Sequence, residues 1–453
     1  MGSAASMDVH RNAALLEDLD ALVAKQNRFV RHALAQRGQP SVDGRSVTTT
    51  SAPAAGALPP GSRVYVWKQD PSVARIGVRK VFLPHRVLPG PKDEHIEVVL
   101  QLTTKKGAVE KDQKATELAL SDAEAGDFLV DFATDPFTFD LVHCYTVARL
   151  VLDMFLRDLK LPDWRWQWDK DTPPNVARTP LRIVAHAGEK ANATYHRGKR
   201  ALKFYYLTVG GTTAYLCRSF DIVAHETGHA ILDALKPKLY AQKAGQSGAL
   251  HEAFADLTAV FAVLDQLDMC EDVVAETKGN LRAAGYLTAI GEQFAAHMRK
   301  VEGAGTGMDE DDANDEEHQE VAGMRNMNNT MTGETCGTDI YSLANVFSGF
   351  VFDVLVKLFE SKRNPMLGAS DAETLHLAAR RLRRVLLLAL FNAPDVPNFS
   401  DLAVGMEKAA EVDAASAAEA TALREMIAAA KNARKLAVAG EAKRRPVVDL
   451  GEF

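Results

Sequence analysis

The 453-residue sequence lacks the features that mark several large classes of protein. It has only four cysteines and no Cys-x-x-Cys pair, so nothing indicates a disulfide framework or a cysteine-based zinc site. Basic residues do not outnumber acidic ones, since 53 Lys and Arg stand against 60 Asp and Glu, a net charge of −7. A chain without a basic excess lacks the charge that neutralises a phosphate backbone, which argues against nucleic acid as its main partner.

Long apolar runs and targeting signals are also scarce. The apolar run Val385–Phe391 is far shorter than the ~20 residues that cross a bilayer. The N-terminus has no basic start followed by an apolar stretch, so a secretory signal peptide is not indicated. Residues 1–6 fit both an N-myristoylation pattern and a vector-derived leader. We expect a protein without a transmembrane segment, either cytoplasmic or exported without a recognisable signal.

What is present is typical of a globular protein, with 47% hydrophobic and 25% charged residues. Apolar positions at helical spacing over residues 8–37 predict one amphipathic helix or a pair. A stretch rich in Ser, Thr, Pro, Ala and Gly then reads as a linker up to residue 61. Strand-like runs follow at 63–67 and 96–102, and a helix is predicted from about 137 to 159.

From residue 218 onward the pattern becomes helical almost to the end, with long helices near 371–391 and 413–438. The sequence therefore predicts an α+β protein. Its expected parts are a helical extension and linker (1–60), a strand-rich front lobe (61–218), a helical back lobe (219–412) and a C-terminal helix and tail (413–453).

The most informative stretch is a His-Glu-x-x-His motif in a helical pattern. A spacing of four residues puts His225 and His229 one turn apart on one helix face, where both imidazoles can reach one metal ion. Glu226 points in an adjacent direction, from which it could take a proton from a water molecule at the metal. Zinc suits two neutral imidazoles and a carboxylate, and it lowers the pKa of its water to about 7.

A second helical segment supplies the missing ligand. Glu252 lies 23 residues after His229 and offers a carboxylate for the third ligand position. Asp256, four residues further and so on the same face, could accept the second N–H of His225. His251 is another possible ligand, but its place beside Glu252 predicts that it faces away from it. We therefore predict one zinc ion per chain, held by two histidines and one glutamate.

With these residues the chain resembles the thermolysin family of neutral zinc metallopeptidases, over roughly residues 130–410. The resemblance implies a two-lobe fold, with the motif helix between a β-rich front lobe and a helical back lobe. Tyr240 lies eleven residues after His229, where the family carries a tyrosine that donates to the transition-state oxyanion. An ordinary surface tyrosine is the other interpretation of Tyr240.

The same resemblance implies residues that bind substrate. Asn192 and Ala193 look like the start of the family's edge strand, which pairs with the substrate backbone, and Arg325 looks like its arginine that holds a substrate carbonyl. An apolar pocket in the family is matched by Leu216, Ile222 and Met324. Arg325 could instead be a surface residue, and the pocket residues could be simple core.

The chain departs from the family at its second oxyanion donor. The family has a histidine in a His-x-Asn-Ser-Gly segment that opens a back-lobe helix, and the best match here places Asn345 at that position. An Asn amide can donate to an oxyanion but brings no positive charge; alternatively, Asn345 is simply the N-cap of the helix. Asp339 is one residue away from the position of the family's orienting aspartate, so we assign it no role.

Calcium is a second departure. Asp221 matches a calcium-binding residue of the family, but Val263 replaces a glutamate ligand, so a paired calcium site is not expected. The acidic run 309–320 has Asn314 where a calcium loop of the EF type needs glycine, and we interpret it as a solvated loop.

The leading functional hypothesis is a zinc endopeptidase acting on peptides or proteins, with Glu226 as general base and with Tyr240 and Asn345 as oxyanion donors. The sequence leaves two alternatives open. One is a related zinc aminopeptidase, although no motif for holding a free amine is found. The other is a zinc-binding peptide-recognition protein with weak or no catalysis, which the missing histidine favours. The oligomeric state and the role of residues 1–60 stay open.

Overall fold

The computed structural model describes residues 61–438, except for the segments 104–108, 116–117, 119–120, 122–125, 160–163, 174–175, 243, 284, 289–325 and 364–369. The predicted N-terminal helix, the acidic run, Met324 and Arg325 lie outside the described residues. The described chain is a mixed structure of helices and sheets, as predicted. The lobe boundaries remain a prediction.

The described residues of the front part of the chain form three sheets. Its strands are β1 (Ser62–Trp67), β2 (Val78–Leu83), β3 (Ile96–Thr103), β4 (Val109–Ala115), β5 (Leu181–Val184), β6 (Ala193–His196), β7 (Ala201–Phe204), β8 (Tyr206–Val209) and β9 (Thr212–Tyr215). The largest sheet has the order β4-β3-β5-β7-β6, in which β3-β5 and β5-β7 are parallel and the other pairs antiparallel. β6 therefore forms one edge of this sheet, and that edge is the part of the sheet that matters for the site.

The helices follow the predicted pattern closely. They are α1 (Pro136–Leu159), α2 (Phe220–Leu235), α3 (Pro237–Tyr240), α4 (Gly245–Leu264), α5 (Leu267–Thr277), α6 (Ile340–Lys362), α7 (Asp371–Asn392), α8 (Phe399–Val412) and α9 (Ala417–Ala433). The predicted helices at 137–159 and 371–391 are confirmed. The predicted stretch 413–438 is shorter in the structure, because Asp413 ends α8 and the Ser416 side chain caps the start of α9.

Within the described part of the chain, two helices, Gly245–Leu264 and Ile340–Lys362, are long and apolar enough to cross a membrane by length and composition alone. Within the fold, 94% and 78% of their most apolar windows are buried. Their apolar side chains belong to the main hydrophobic core, together with those of α1, α2 and α7. These two helices are hydrophobic because other helices bury them in the core of the protein.

The close approach of α2 and α4 depends on Gly228, inside the His-Glu-x-x-His motif. A Cβ atom at this position would lie 2.9 Å from the Thr258 side chain and 3.1 Å from the Ala255 Cα. The second of these neighbours is backbone, which cannot rotate away. Gly228 therefore allows the two helices to pack closely enough for side chains from both to meet in one site.

We expect Gly228→Ala to destabilise the protein, although alanine is the better helix former. Overpacking a buried contact typically costs 1–3 kcal/mol, and here the strain would push apart the helices that carry the predicted metal ligands. Thermal unfolding and zinc content of the purified variant would measure both effects. An unchanged melting temperature with full zinc content would show that the helices yield without cost.

Candidate metal centre and catalytic site

His225 and His229 meet on one face of α2, as their spacing predicts. Their Nε2 atoms lie 3.0 Å apart, and the two rings are nearly perpendicular, at 89°. Both residues are almost completely buried, with 2% and 6% of their surface exposed. The two imidazole nitrogens therefore converge on one point inside the protein.

Glu252, from α4, completes this convergence. Its carboxylate oxygens lie 3.7 Å from the Nε2 of His225 and 3.7 Å from the Nε2 of His229. A tetrahedral zinc ion with bonds of about 2.0–2.1 Å would keep its ligand atoms roughly 3.3 Å apart. The observed separations of 3.0–3.7 Å bracket that value, so two imidazoles and a carboxylate fit a zinc ion in both chemistry and spacing.

Asp256 lies beside the first histidine. Its Oδ1 lies 2.9 Å from His225 Nδ1, and Asp256 is 1% exposed. An imidazole that donates its Nδ1–H to this carboxylate keeps the lone pair of Nε2 directed at the other two ligand atoms. The sequence-based role of Asp256 agrees with this position, one helical turn beyond Glu252 on α4.

The prediction that His251 faces away from Glu252 is wrong, since ligand atoms of His229, His251 and Glu252 all lie within 4.8 Å of one another. Its ring stacks on the ring of His229 at 4.7 Å, and the two Nδ1 atoms lie 2.6 Å apart. Neighbouring residues of a helix differ by only about 100°, so His251 and Glu252 can both border the same space. A separation of 2.6 Å is too short for two ligands of one metal ion and suits a shared proton. A metal ion at Nε2 of His229 would leave the proton on its Nδ1, and that N–H would then donate to His251 Nδ1.

We expect His251→Ala to weaken zinc binding, since removing the hydrogen-bond partner of a metal-ligating histidine typically costs 10–100-fold in affinity. His251→Asn should restore most of this loss, because an amide oxygen can accept the same proton. Competition with a chromogenic chelator would measure both variants. Equal weakening by alanine and asparagine would mean that the stacked ring, and not its acceptor nitrogen, supports His229.

Tyr240 is fixed beside this centre by a network of aromatic and charged side chains. The Arg197 guanidinium lies 4.2 Å from the centroid of the Tyr240 ring, and the Tyr195 ring meets it edge-on at 5.5 Å. Asp233, which is fully buried in α2, accepts from the Tyr195 hydroxyl at 2.6 Å and from Arg197 Nε at 2.8 Å. Burial and the Asp233 charge raise the pKa of Tyr195, so it remains a donor. His251 contacts the Tyr240 ring at 5.0 Å.

A cavity joins the metal ligands to the edge of the large sheet. It is lined by Ala193, Thr194, Tyr195, Glu226, His229, Tyr240, Gln242, Gly248, His251, Glu252 and Ile340. Glu226 is 2% exposed, and its ligand-type oxygen lies within 4.8 Å of a ring nitrogen from each motif histidine. Three successive residues of β6 line the cavity, so the edge of the sheet borders the candidate site directly.

Of the two adjacent residues predicted to bind the substrate backbone, Asn192 and Ala193, only Ala193 is among the residues that line the cavity. Ala193 lines the cavity, whereas Asn192 is buried beside it, and its carbonyl accepts from the Tyr205 N–H. Leu216 and Ile222, the predicted pocket residues, belong to the main hydrophobic core at 2% and 3% exposure. Their positions agree with the interpretation of both residues as part of the hydrophobic core.

The alternative interpretation of Asn345 as an N-cap is wrong. Helix α6 begins at Ile340, and its N-cap is Asp339, whose Oδ1 accepts from the Ser342 N–H at 2.8 Å. Asn345 lies in the second turn, where its carbonyl accepts from the Asn329 side chain at 3.0 Å. Ile340, and not Asn345, lines the described cavity, so the oxyanion role of Asn345 remains a prediction.

The two residues considered for calcium, Asp221 and Val263, differ in chemical character and in surroundings. Val263 is 2% exposed and belongs to the hydrophobic core. Asp221 is buried at the start of α2, where its carboxylate accepts from the Ser219 hydroxyl, which also lies 2.7 Å from Asp70. These contacts tie the start of the motif helix to the loop after β1.

Sequence reasoning missed several residues of the site. Gln242 lines the cavity, and Arg197 and Asp233 hold Tyr240 and Tyr195 in place. Asp233 follows the motif by four residues on α2, which is the one signal that could have indicated it. Arg197 comes from the turn after β6 and carries no comparable signal.

No protein-family model and no curated protein matches this chain. Among solved structures, it is similar to the precursor of protealysin, a metalloproteinase from Serratia proteamaculans, with 16% sequence identity and a TM-score of 0.41. The similarity covers 75% of this chain and 88% of that chain. This similarity is too distant to establish the fold or the function, so membership of the thermolysin family stays a prediction. The geometry of the candidate site described above does not depend on it.

Proposed function

We propose that this chain is a zinc-dependent endopeptidase. The observation that carries the proposal is the convergence of His225 Nε2, His229 Nε2 and the Glu252 carboxylate, 3.0–3.7 Å apart. Glu226 lies beside them, in the cavity that the edge strand β6 borders. This donor set leaves room for a fourth ligand, which is typical of catalytic and not of structural zinc.

Each residue has a separate task in this proposal. The bound zinc ion would polarise the carbonyl of the scissile bond. Glu226 takes the proton from the attacking water and gives it to the leaving amine. Tyr240 donates its hydroxyl to the oxygen that becomes negative, and the network of Arg197, Tyr195 and His251 keeps that hydroxyl from moving away.

The position of β6 supports an extended peptide as the substrate. An edge strand can pair with one more strand through its main-chain groups, whatever the side chains of that strand are. Ala193 has a small side chain, and Thr194 and Tyr195 continue the same strand along the cavity. Main-chain pairing would hold a peptide on both sides of the scissile bond, which suits an endopeptidase.

The two alternatives make different demands on the cavity. An aminopeptidase needs an acidic group for the free amine of its substrate, and the carboxylates that line the described cavity are Glu226 and Glu252, both of which already have a role. A peptide-recognition protein without catalysis would not need Glu226. Cleavage of casein by the purified protein, abolished by a chelator and restored by zinc, tests the proposal against both alternatives when the products are internal peptides.

The zinc ligands predict a simple change in metal content. His229→Ala should lower bound zinc by about one equivalent, because two remaining ligands hold zinc poorly. Elemental analysis of the wild type and the variant, purified side by side, would measure the difference. The matched control is His196→Ala, a change to a histidine of β6 outside the cluster. An equal zinc content in all three proteins would contradict the assignment.

A further inference from the structure

A second group of metal-ligand side chains lies at the entry to α2. Asp140 of α1, His186 after β5 and Cys217 just before α2 each bring one ligand atom to within 4.8 Å of the others. Cys144 of α1 adds another thiol, whose Sγ lies 3.4 Å from the Cys217 carbonyl oxygen and which is hydrogen-bonded to the Cys217 thiol. The proposed peptidase uses none of these four side chains.

His186 lies between a carboxylate and a thiol. Its Nε2 is 2.9 Å from Asp140 Oδ2, and the ring is also hydrogen-bonded to Cys217. Arg218 binds the same carboxylate through Nε, at 2.9 Å from Oδ1, and through a terminal nitrogen, at 3.0 Å from Oδ2. A histidine oriented by a carboxylate in this way is the usual arrangement behind a metal-ligating imidazole.

We propose that Cys144, Cys217 and His186 form a second site, which binds a soft divalent cation such as Zn²⁺, with Asp140 as the group that orients the imidazole. Thiolate and imidazole are the ligands that zinc prefers, and three of them leave one position for water or another ligand. Two thiolates balance the two charges of the ion, while Arg218 already balances Asp140. Binding therefore leaves no uncompensated charge in the interior.

The surroundings suit such a site. Cys144, Cys217 and Asp140 are fully buried, whereas the His186 side chain is 18% exposed and provides a path from solvent.

A metal ion here would join α1 to the segment Leu216–Arg218, from which the zinc-motif helix starts. The ion would fix the start of α2 without taking part in peptide hydrolysis. It would stabilise the folded chain, because unfolding would separate its ligands.

Cobalt(II) distinguishes the two sites, because only thiolate ligands give it a strong near-ultraviolet charge-transfer band. The experiment uses the full chain carrying His229→Ala, stripped of metal and titrated with cobalt(II) without oxygen. We expect the band to saturate at one cobalt per chain and to disappear when zinc is added. It should be lost in Cys217→Ser and in Cys144→Ser, and kept in Cys336→Ser, which changes a buried cysteine elsewhere.

Absence of the band from the folded His229→Ala chain would overturn the proposal, and so would its survival in Cys217→Ser. In either case the cluster would be only an ion pair packed against two thiols. Circular dichroism establishes that each variant is folded, and the band of the unsubstituted cluster gives a readout that needs no cysteine variant. The result is independent of peptide cleavage, so it neither supports nor weakens the proposed peptidase.

Discussion

Replacing Glu226 by glutamine should abolish peptide hydrolysis while zinc stays bound. Glutamine keeps the shape of the side chain but cannot accept a proton from the attacking water. General acid–base catalysis is typically worth 10²–10⁴-fold, and we expect a loss of that size in kcat with little change in KM. The measurement is the steady-state cleavage of an internally quenched peptide, with the zinc content of the same sample determined in parallel.

Glu252→Gln is the matched control, because it makes the same chemical change in a second buried glutamate of the cavity. This variant should lose zinc and activity together, whereas Glu226→Gln should lose activity alone. Turnover above about one tenth of the wild-type value in zinc-loaded Glu226→Gln would identify another group as the base, because a general base contributes at least ~10²-fold. A wild type inactive on every peptide would favour the recognition protein.

The metal centre is the part of the molecule that the sequence predicts best. The spacing of four residues from His225 to His229, and again from Glu252 to Asp256, follows directly from the 3.6-residue helical turn. The sequence predicts both helices, and the prediction of zinc rests on two histidines and one glutamate with a carboxylate beside the first histidine. The structure adds the contact between the two helices, which brings Glu252 to within 3.7 Å of both imidazoles.

The sequence predicts less where a role depends on tertiary packing. Gly228 could not be distinguished from the variable residues of the motif, since its role comes from Thr258 and Ala255 on another helix. The prediction for His251 is wrong because residues adjacent on a helix differ by only about 100° and need not face opposite directions. The interpretation of Asn345 as an N-cap failed because Asp339 starts the helix six residues earlier.

These two corrections have one physical origin. Helical periodicity fixes which residues share a face of their own helix, but not which outside group that face meets. The motif itself therefore predicts a role for Glu226. It gives no signal for Arg197, which contacts the Tyr240 ring from the turn after β6. The roles of the candidate oxyanion donors, Tyr240 and Asn345, likewise depend on groups outside their own helices, and a direct comparison of two variants separates them.

Tyr240→Phe and Asn345→Ala should have very different effects on catalysis. Tyr240 lines the cavity beside Glu226 and Glu252, whereas Asn345 lies in the second turn of α6 and does not line it. Removing one oxyanion donor typically costs 10²–10³ in kcat. We expect a loss of that size in Tyr240→Phe, since phenylalanine keeps the ring contacts with Arg197 and removes only the hydroxyl.

Asn345→Ala should change kcat by less than about threefold, an effect well below 1.4 kcal/mol. Zinc content and melting temperature should stay near the wild-type values in Tyr240→Phe. The fall in kcat would then reflect weaker stabilisation of the transition state. The reverse pattern, with Asn345→Ala inactive and Tyr240→Phe active, would require Asn345 to reach the substrate in a rearranged complex. It would also restore the role that the resemblance to the thermolysin family assigns to this position.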